Sequence, residues 1–147
     1  MATVISSTLS ATPRRALVPA DDPSVEVPTN QAIPPAVDGR MMLVKAGDII
    51  DIGMDWLTWC KANDGVLASS AWASHGSTPQ APTLGADGID ATKQHTVVQL
   101  DTTGAAAGDT YYIKNTVTIT DATAGAANTY DLPTRTLTRV LHVRVTL

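Results

Sequence analysis

Three histidines, one cysteine and a few closely spaced carboxylates are the residues here whose side chains do acid, base, nucleophilic or metal chemistry. His75, His95 and His142 stand far apart, and no two have the i, i+2 or i, i+4 spacing with which a strand or helix clamps a metal ion. They are expected at the surface or at sheet edges. A single cysteine, Cys60, excludes an internal disulfide and any CxxC metal site, so it is expected to be a small buried side chain beside Trp59. Asp87-Gly-Ile-Asp90 sets two carboxylates around a turn, without the further oxygen ligands of a calcium loop. Asp48, Asp51 and Asp55 are near enough to share acid and base roles. Asp51 and Asp55, however, fall on the polar phase of one strand, and a solvated strand face accounts for them. Ser69 and Ser70 lack the Gly-x-Ser-x-Gly context of an activated nucleophile, and the glycines near residue 104 precede a strand, not the helix of a phosphate loop. The expectation is a protein that is not an enzyme and holds no cofactor or metal.

The elements that carry these residues read as strands. Over residues 111–120, Tyr111, Ile113, Val117 and Ile119 on the odd positions alternate with Tyr112, Lys114, Thr116, Thr118 and Thr120 on the even ones, the period of a strand with one buried face. Leu141, Val143, Val145 and Leu147 alternate in the same way with His142, Arg144 and Thr146, and Pro133 is placed to start that strand. Ile50, Ile52, Met54 and Trp56 share one phase, and Val66, Ala68, Ser70 and Trp72 share another. The turn signal Asn63-Asp64-Gly65 between them predicts a hairpin or a closely spaced strand pair. Thr96, Val98 and Leu100 predict a strand over 94–100. The glycine- and proline-rich stretch 74–93 predicts a long loop with a short edge strand near Pro82 to Leu84, and 121–128 a small-residue loop. Five to seven strands with no amphipathic helix between them predict an all-β fold. Ala107-Gly108-Asp109-Thr110-Tyr111, leading into an alternating strand, resembles the tyrosine-corner entry to the penultimate strand of immunoglobulin-like sandwiches, with Tyr111 or Tyr112 in that role.

Residues 1–40 differ in kind. Pro13, Pro19, Pro23, Pro28, Pro34 and Pro35, six of the nine prolines, lie here. Each removes a backbone donor and biases its predecessor toward extended conformations, so neither a helix nor a central strand is expected. The expectation is an extended arm over 1–40 and a β-sandwich domain over 41–147. Val4, Ile5, Leu17, Val18, Val25, Val27, Ile33 and Val37 make the arm more apolar than an ordinary linker, which fits a segment laid along another surface.

Length and composition agree. At 147 residues and 44% hydrophobic content the chain can fill one core and is too short for two ordinary domains. With no Phe, the three Trp and three Tyr supply the large side chains. The formal charge of −4 has no Lys/Arg cluster to neutralise a run of phosphates, which argues against nucleic acid as a partner. No apolar run approaches the roughly 20 residues of a membrane helix, so no membrane partner is expected. The opening Met-Ala-Thr-Val-Ile-Ser-Ser lacks the basic-then-apolar order of an export signal, and synthesis in the cytoplasm is expected.

The ordered segments Asp51-Ile-Gly-Met-Asp55-Trp56, Leu67-Ala-Ser-Ser-Ala-Trp72 and Thr103-Gly-Ala-Ala-Ala-Gly108-Asp-Thr-Tyr111-Tyr112-Ile-Lys-Asn115-Thr-Val-Thr-Ile119-Thr resemble the fibre-tail adaptor proteins, a family of small virion proteins of tailed bacteriophages. The resemblance spans roughly residues 46–147. The arm and the stretch 74–93 extend beyond the compact family pattern. The likeness implies an immunoglobulin-like β-sandwich in the virion, present in several copies arranged as a ring and docked to portal, neck, tail or fibre components. Trp56, Trp72 and Tyr111 are then the core anchors. Trp59 is either core or interface, and Val25, Val27, Ile33 and Val37 are the arm's interface residues, suited to strand addition on a neighbour's edge. A capsid decoration (cement) protein is the first alternative. The second is a carbohydrate-binding or adhesion module using the stretch 74–93 with Trp72 as a sugar platform.

Overall fold

The computed structural model describes residues 3–4, 15–20, 42–62, 64–76, 81–121 and 134–147. Among these residues nine strands form two facing sheets: β1 (Thr3–Val4), β2 (Arg15–Pro19), β3 (Met42–Lys45), β4 (Ile49–Asp55), β5 (Gly65–Gly76), β6 (Thr83–Ile89), β7 (His95–Asp101), β8 (Thr110–Asp121) and β9 (Thr134–Thr146). One sheet has the order β1-β6-β7-β4-β2 and the other β3-β9-β8-β5. The fold is an all-β sandwich.

The strongest pattern in the sequence is also the most regular strand. Along β8 every odd residue from Tyr111 to Ile119 is buried and every even one from Tyr112 to Thr120 is half-buried. β8 lies antiparallel between β5 and β9. Its entry is fixed by a side chain: the Tyr111 hydroxyl accepts from Ala106 N–H at 3.1 Å and sits 3.4 Å from the Ala106 carbonyl, to which it donates. Gly108, at φ 91°, makes the backbone reversal before it, a conformation that costs glycine little.

Two clusters fill the space between the sheets. One gathers Ala20, Met54, Trp56, Cys60, Leu67, Ile89, Val117 and Ile119, and the other Val44, Ile52, Val98, Leu100, Ile113, Leu141 and Val143. Trp72 packs against both.

Several expectations are corrected. The segments around Ile52 and Trp72 form no hairpin: β4 and β5 belong to opposite sheets. Between them runs a six-residue helix, α1 (Leu57–Ala62). Asp55 caps it by accepting Leu57 N–H at 2.9 Å, and Asp64, at φ 47°, turns the chain out of it. The expected common phase of Val66, Ala68, Ser70 and Trp72 is broken by a bulge between Leu67 and Ser69. The extra residue inverts parity, so Leu67 is buried before it and Ser70 after it, while Ala68 is exposed. Most of the described residues in the stretch 74–93 are strand, and the short edge strand expected near Pro82 to Leu84 is a seven-residue strand, β6, with a neighbour on each side. β5 runs on to Gly76, and β6 pairs with β1 on one side and with β7 on the other through its own bulge. Part of the expected arm is built into the sandwich, because β1 and β2 add in parallel to the outer sides of β6 and β4. Both are edge strands, where a proline such as Pro19 is tolerated. Val25, Val27, Ile33, Val37, Pro133 and residues 122–128 lie outside the described residues.

Candidate functional site

His95 and His142, expected at the surface or a sheet edge, are buried at 8% and 2% exposure. His142 stands opposite Tyr112 in the β8–β9 register, and the two rings meet edge to face at a centroid distance of 4.9 Å. His95 opens β7 and reaches two carboxylates: its Nδ1 is 2.7 Å from Asp90 Oδ2 and its Nε2 3.2 Å from Asp55 Oδ1.

Asp90, fully buried, is the hub of a tight turn between β6 and β7. It accepts Thr92 Oγ1 at 2.9 Å, Gln94 N–H at 3.1 Å and His95 N–H at 3.1 Å. A carboxylate read from sequence as half of a turn pair is therefore the anion on which that turn closes. Asp55 likewise leaves the solvated face expected for it, and is half-buried between the helix cap and His95. Asp51 is half-buried too.

Cys60 lies close enough for Asp55 and Asp90 to act on it. Burial first, then the negative charge of these two carboxylates, pushes its thiol up from 9.0 to about 11. At neutral pH the sulfur keeps its proton, which points weakly at the Lys93 carbonyl, 3.9 Å away. The Cys60, His95 and Asp90 triplet thus has the residue types of a nucleophilic triad and the electrostatics of its opposite. No group of three or more His, Cys, Asp or Glu side chains fit to hold a metal occurs among the described residues.

The arrangement with the most to offer a partner is at the other side of β4. Strand β2 runs parallel to it in the register Arg15↔Asp51, Ala16↔Ile52, Leu17↔Gly53, Val18↔Met54 and Pro19↔Asp55. Just beyond, Ala20 is 1% exposed, and its N–H donates to the Asp55 carbonyl at 2.7 Å. Its own carbonyl accepts Arg139 Nε at 3.2 Å. Arg139 comes from β9, in the opposite sheet, and is 8% exposed. Its guanidinium carbon lies 4.8 Å from the Trp59 ring centroid and 5.9 Å from that of Trp56, while Nη1 donates to the Thr138 carbonyl at 2.8 Å. Among the described residues no carboxylate pairs with it. Burial accordingly lowers the Arg139 pKa from its ordinary value. The result is a clasp in which a cation held on two indoles grips the backbone of an extended segment.

Of the anticipated anchors, Trp56 and Trp59 line this clasp. Trp56 and Tyr111 are fully buried. Trp56 follows β4 instead of lying on it, and Trp72 lies on β5 in the opposite sheet, so the two are not on adjacent strands. Trp72 is half-buried and turned into the sandwich. Trp59, on α1, is half-buried against the first cluster and forms the floor under Arg139. Sequence reasoning missed Arg139 and Ala20, and weighed Asp90 and His95 without foreseeing their burial or their pairing. Only Arg139 left a signal, a charge on the inward phase of a strand.

A second surface lies at the end of β3 and β9, where an open groove of about 460 Å³ is lined by Leu43, Ala107, Gly108, Arg144, Val145, Thr146 and Leu147. Leu43 and Leu147 are 67% and 98% exposed. No helix among the described residues is long and apolar enough to cross a membrane.

No protein-family model matches the chain, and no curated protein matches it. Among solved structures, a cysteine protease inhibitor from Entamoeba histolytica is similar with a TM-score of 0.40 and 14% identity, over 89% of this chain and 94% of that one. That likeness is too slight to bear on function.

Proposed function

We propose that this chain is a non-enzymatic structural protein of a tailed-phage virion, an immunoglobulin-like sandwich that connects fibre, tail or neck components as one of several copies in a ring. The observation that carries the reading is the clasp. An amino-terminal strand is added in parallel to the edge of β4, and the segment just beyond it is locked by Arg139. A connector needs a rigid body and a segment that joins by backbone pairing, and strand addition supplies affinity without demanding a particular side-chain sequence. The order of the Asp51 to Trp56, Leu67 to Trp72 and Thr103 to Thr120 segments supports the same family. The immunoglobulin-like assignment is supported by two packed sheets and by the Tyr111 hydroxyl bonded to the backbone five residues upstream, as in a tyrosine corner.

A sugar-binding module would need Trp72 presented outward, and here it packs between the two core clusters. Cryo-electron microscopy of purified particles tests the proposal. The expected result is density for this sandwich in a ring at the neck, tail or fibre base. A lattice of copies over the capsid shell would instead make it a decoration protein, and particles devoid of the polypeptide would end both readings.

A further inference from the structure

We infer that the proton held between His95 Nε2 and Asp55 Oδ1 latches the amino-terminal strand: β2 and Ala20 stay docked on β4 while the pair keeps it, and loosen as rising pH removes it. The inference rests on the connector reading and supplies the regulation of its clasp.

The proton follows from the hydrogen bonding around the ring. His95 Nδ1 lies 2.7 Å from Asp90 Oδ2, and Nε2 lies 3.2 Å from Asp55 Oδ1. Asp90 is fully buried and accepts Thr92 Oγ1 and the N–H groups of Gln94 and His95, so it meets Nδ1 as an acceptor and Nδ1 carries an N–H. A neutral imidazole has only one N–H. Its Nε2 would set a lone pair against a carboxylate oxygen, so a second proton is required between Nε2 and Oδ1. That proton titrates as a property of the pair and not of either group. Among the described residues, the titratable groups on the elements around the ring are Asp51 and Asp55 on β4, Asp87 on β6, Asp90 and Lys93 in the turn after it, and Cys60 and Lys61 on α1. The negative potential at this place registers at Cys60 too, whose thiol is raised first by burial and then by the charges of Asp55 and Asp90.

Asp55 is where the proton meets the strand. Its carboxylate caps α1 by accepting Leu57 N–H at 2.9 Å, and its backbone carbonyl accepts Ala20 N–H at 2.7 Å. Helix α1 carries Trp59, the ring under Arg139, and Arg139 Nε donates to the Ala20 carbonyl at 3.2 Å. The two backbone bonds of Ala20 thus depend on Asp55, one directly and one through the helix it caps. Of the two carboxylates on the ring, the Asp90 side chain is 0% exposed and the Asp55 side chain 29%, so on loss of the proton it is Asp55 that turns toward water and gives up the cap. β2 is at the end of its sheet, and β4 is its one strand neighbour among the described residues. The docked state holds the extra proton, so docking weakens as pH rises.

Amide exchange of the full chain from about pH 5 to 8, the range in which histidine changes charge, tests the latch. With each rate divided by the intrinsic rate of its amide, protection of Ala16 to Val18 and of Ala20 is expected to fall about tenfold or more across the range, as a hydrogen bond to a charged group is lost, while protection in β8 holds. In Asp55→Asn, whose amide oxygen still caps α1 and has no charge to trade for a proton, the fall is expected to vanish. The ring nitrogen NMR shifts of the unaltered chain read the same event: Nε2 is expected to lose its proton where protection falls, with Nδ1 keeping its own. Cys60, raised to about 11, keeps its proton throughout, and the other two histidines, His75 and His142, stand on β5 and β9 of the opposite sheet. Protection that stays level over the range, or falls equally in Asp55→Asn, would overturn the latch and leave the connector reading standing. No protection of these amides at any pH would remove the docked strand itself, and the connector reading with it.

Discussion

The Trp56 indole donates from Nε1 to Asn115 Oδ1 at 3.0 Å, joining the segment after β4 to β8 across the two sheets. Asn115 is a polar residue on the inward phase of β8, and the capacity of its amide is fully used. Oδ1 also accepts Thr96 Oγ1 at 2.8 Å, and Nδ2 donates to Ser70 Oγ at 2.9 Å and to the Ala71 carbonyl at 3.1 Å. A fully satisfied amide of this kind specifies how the sheets are set against each other, because any slip strands several buried donors at once.

Asn115→Leu is accordingly expected to cost about 3 kcal/mol or more, since it orphans the Trp56 and Thr96 donors together. Thr96→Val removes one donor and leaves the rest of the network intact, so about 1 kcal/mol is expected. Urea unfolding of the two variants checks the ratio. Equal losses would mean that Asn115 is not the hub.

Asp90→Ala is expected to cost about 3 to 5 kcal/mol, because it strips an acceptor from His95 Nδ1, from two backbone N–H groups and from Thr92. Thr92→Ala, at the exposed side of the same turn, is expected to cost about 1 kcal/mol. Thermal and urea unfolding read both.

Arg139→Met keeps the apolar bulk over Trp59 and loses the bond to the Ala20 carbonyl. A hydrogen bond from a charged donor contributes about 1.5 to 3 kcal/mol, so amide exchange over 15–20 should quicken by about tenfold or more, while exchange in β8 stays as it was. Unaltered exchange in 15–20 would mean that the guanidinium does not hold the arm.

The Cys60 thiol ionises near 9.0 when exposed and at about 11 when folded. Below pH 9.0 both states hold the proton. Between 9.0 and about 11 only the folded state does, so unfolding releases a proton and stability falls as pH rises through that window. Cys60→Ala should lack this component. The difference between the two stability curves from pH 7 to 11 isolates it from the lysines and tyrosines that titrate in both.

Gly65→Ala tests the start of β5. A Cβ there would lie 2.6 Å from Ile119 Cγ2 and 2.6 Å from the Thr120 carbonyl oxygen, which is backbone and cannot step aside. A loss of about 1 to 3 kcal/mol is expected, read as a lower melting temperature.

For β4, β7 and β8 the inward face was legible in the alternation of single residues. The alternation at 111–120, the shared phase of Ile52, Met54 and Trp56, and that of Thr96, Val98 and Leu100 each translate into buried side chains, because period two is a property of the chain's own geometry. The turn at Gly108 with the Tyr111 hydroxyl was legible for the same reason, the partner being five residues away.

What tertiary structure alone decided is whatever depends on register between distant segments. One extra residue at Ala68 inverted the faces of β5, and β6 extends well beyond the short edge strand expected near Pro82 to Leu84 and lies between β1 and β7. Asn115 bonds across 59, 45 and 19 residues, and Arg139 reaches back 119 to Ala20. A polar side chain on an inward phase shows in the sequence that a partner is required. Which backbone or ring will answer it is set only when two sheets close face to face, because that distance is spatial and leaves no period along the chain.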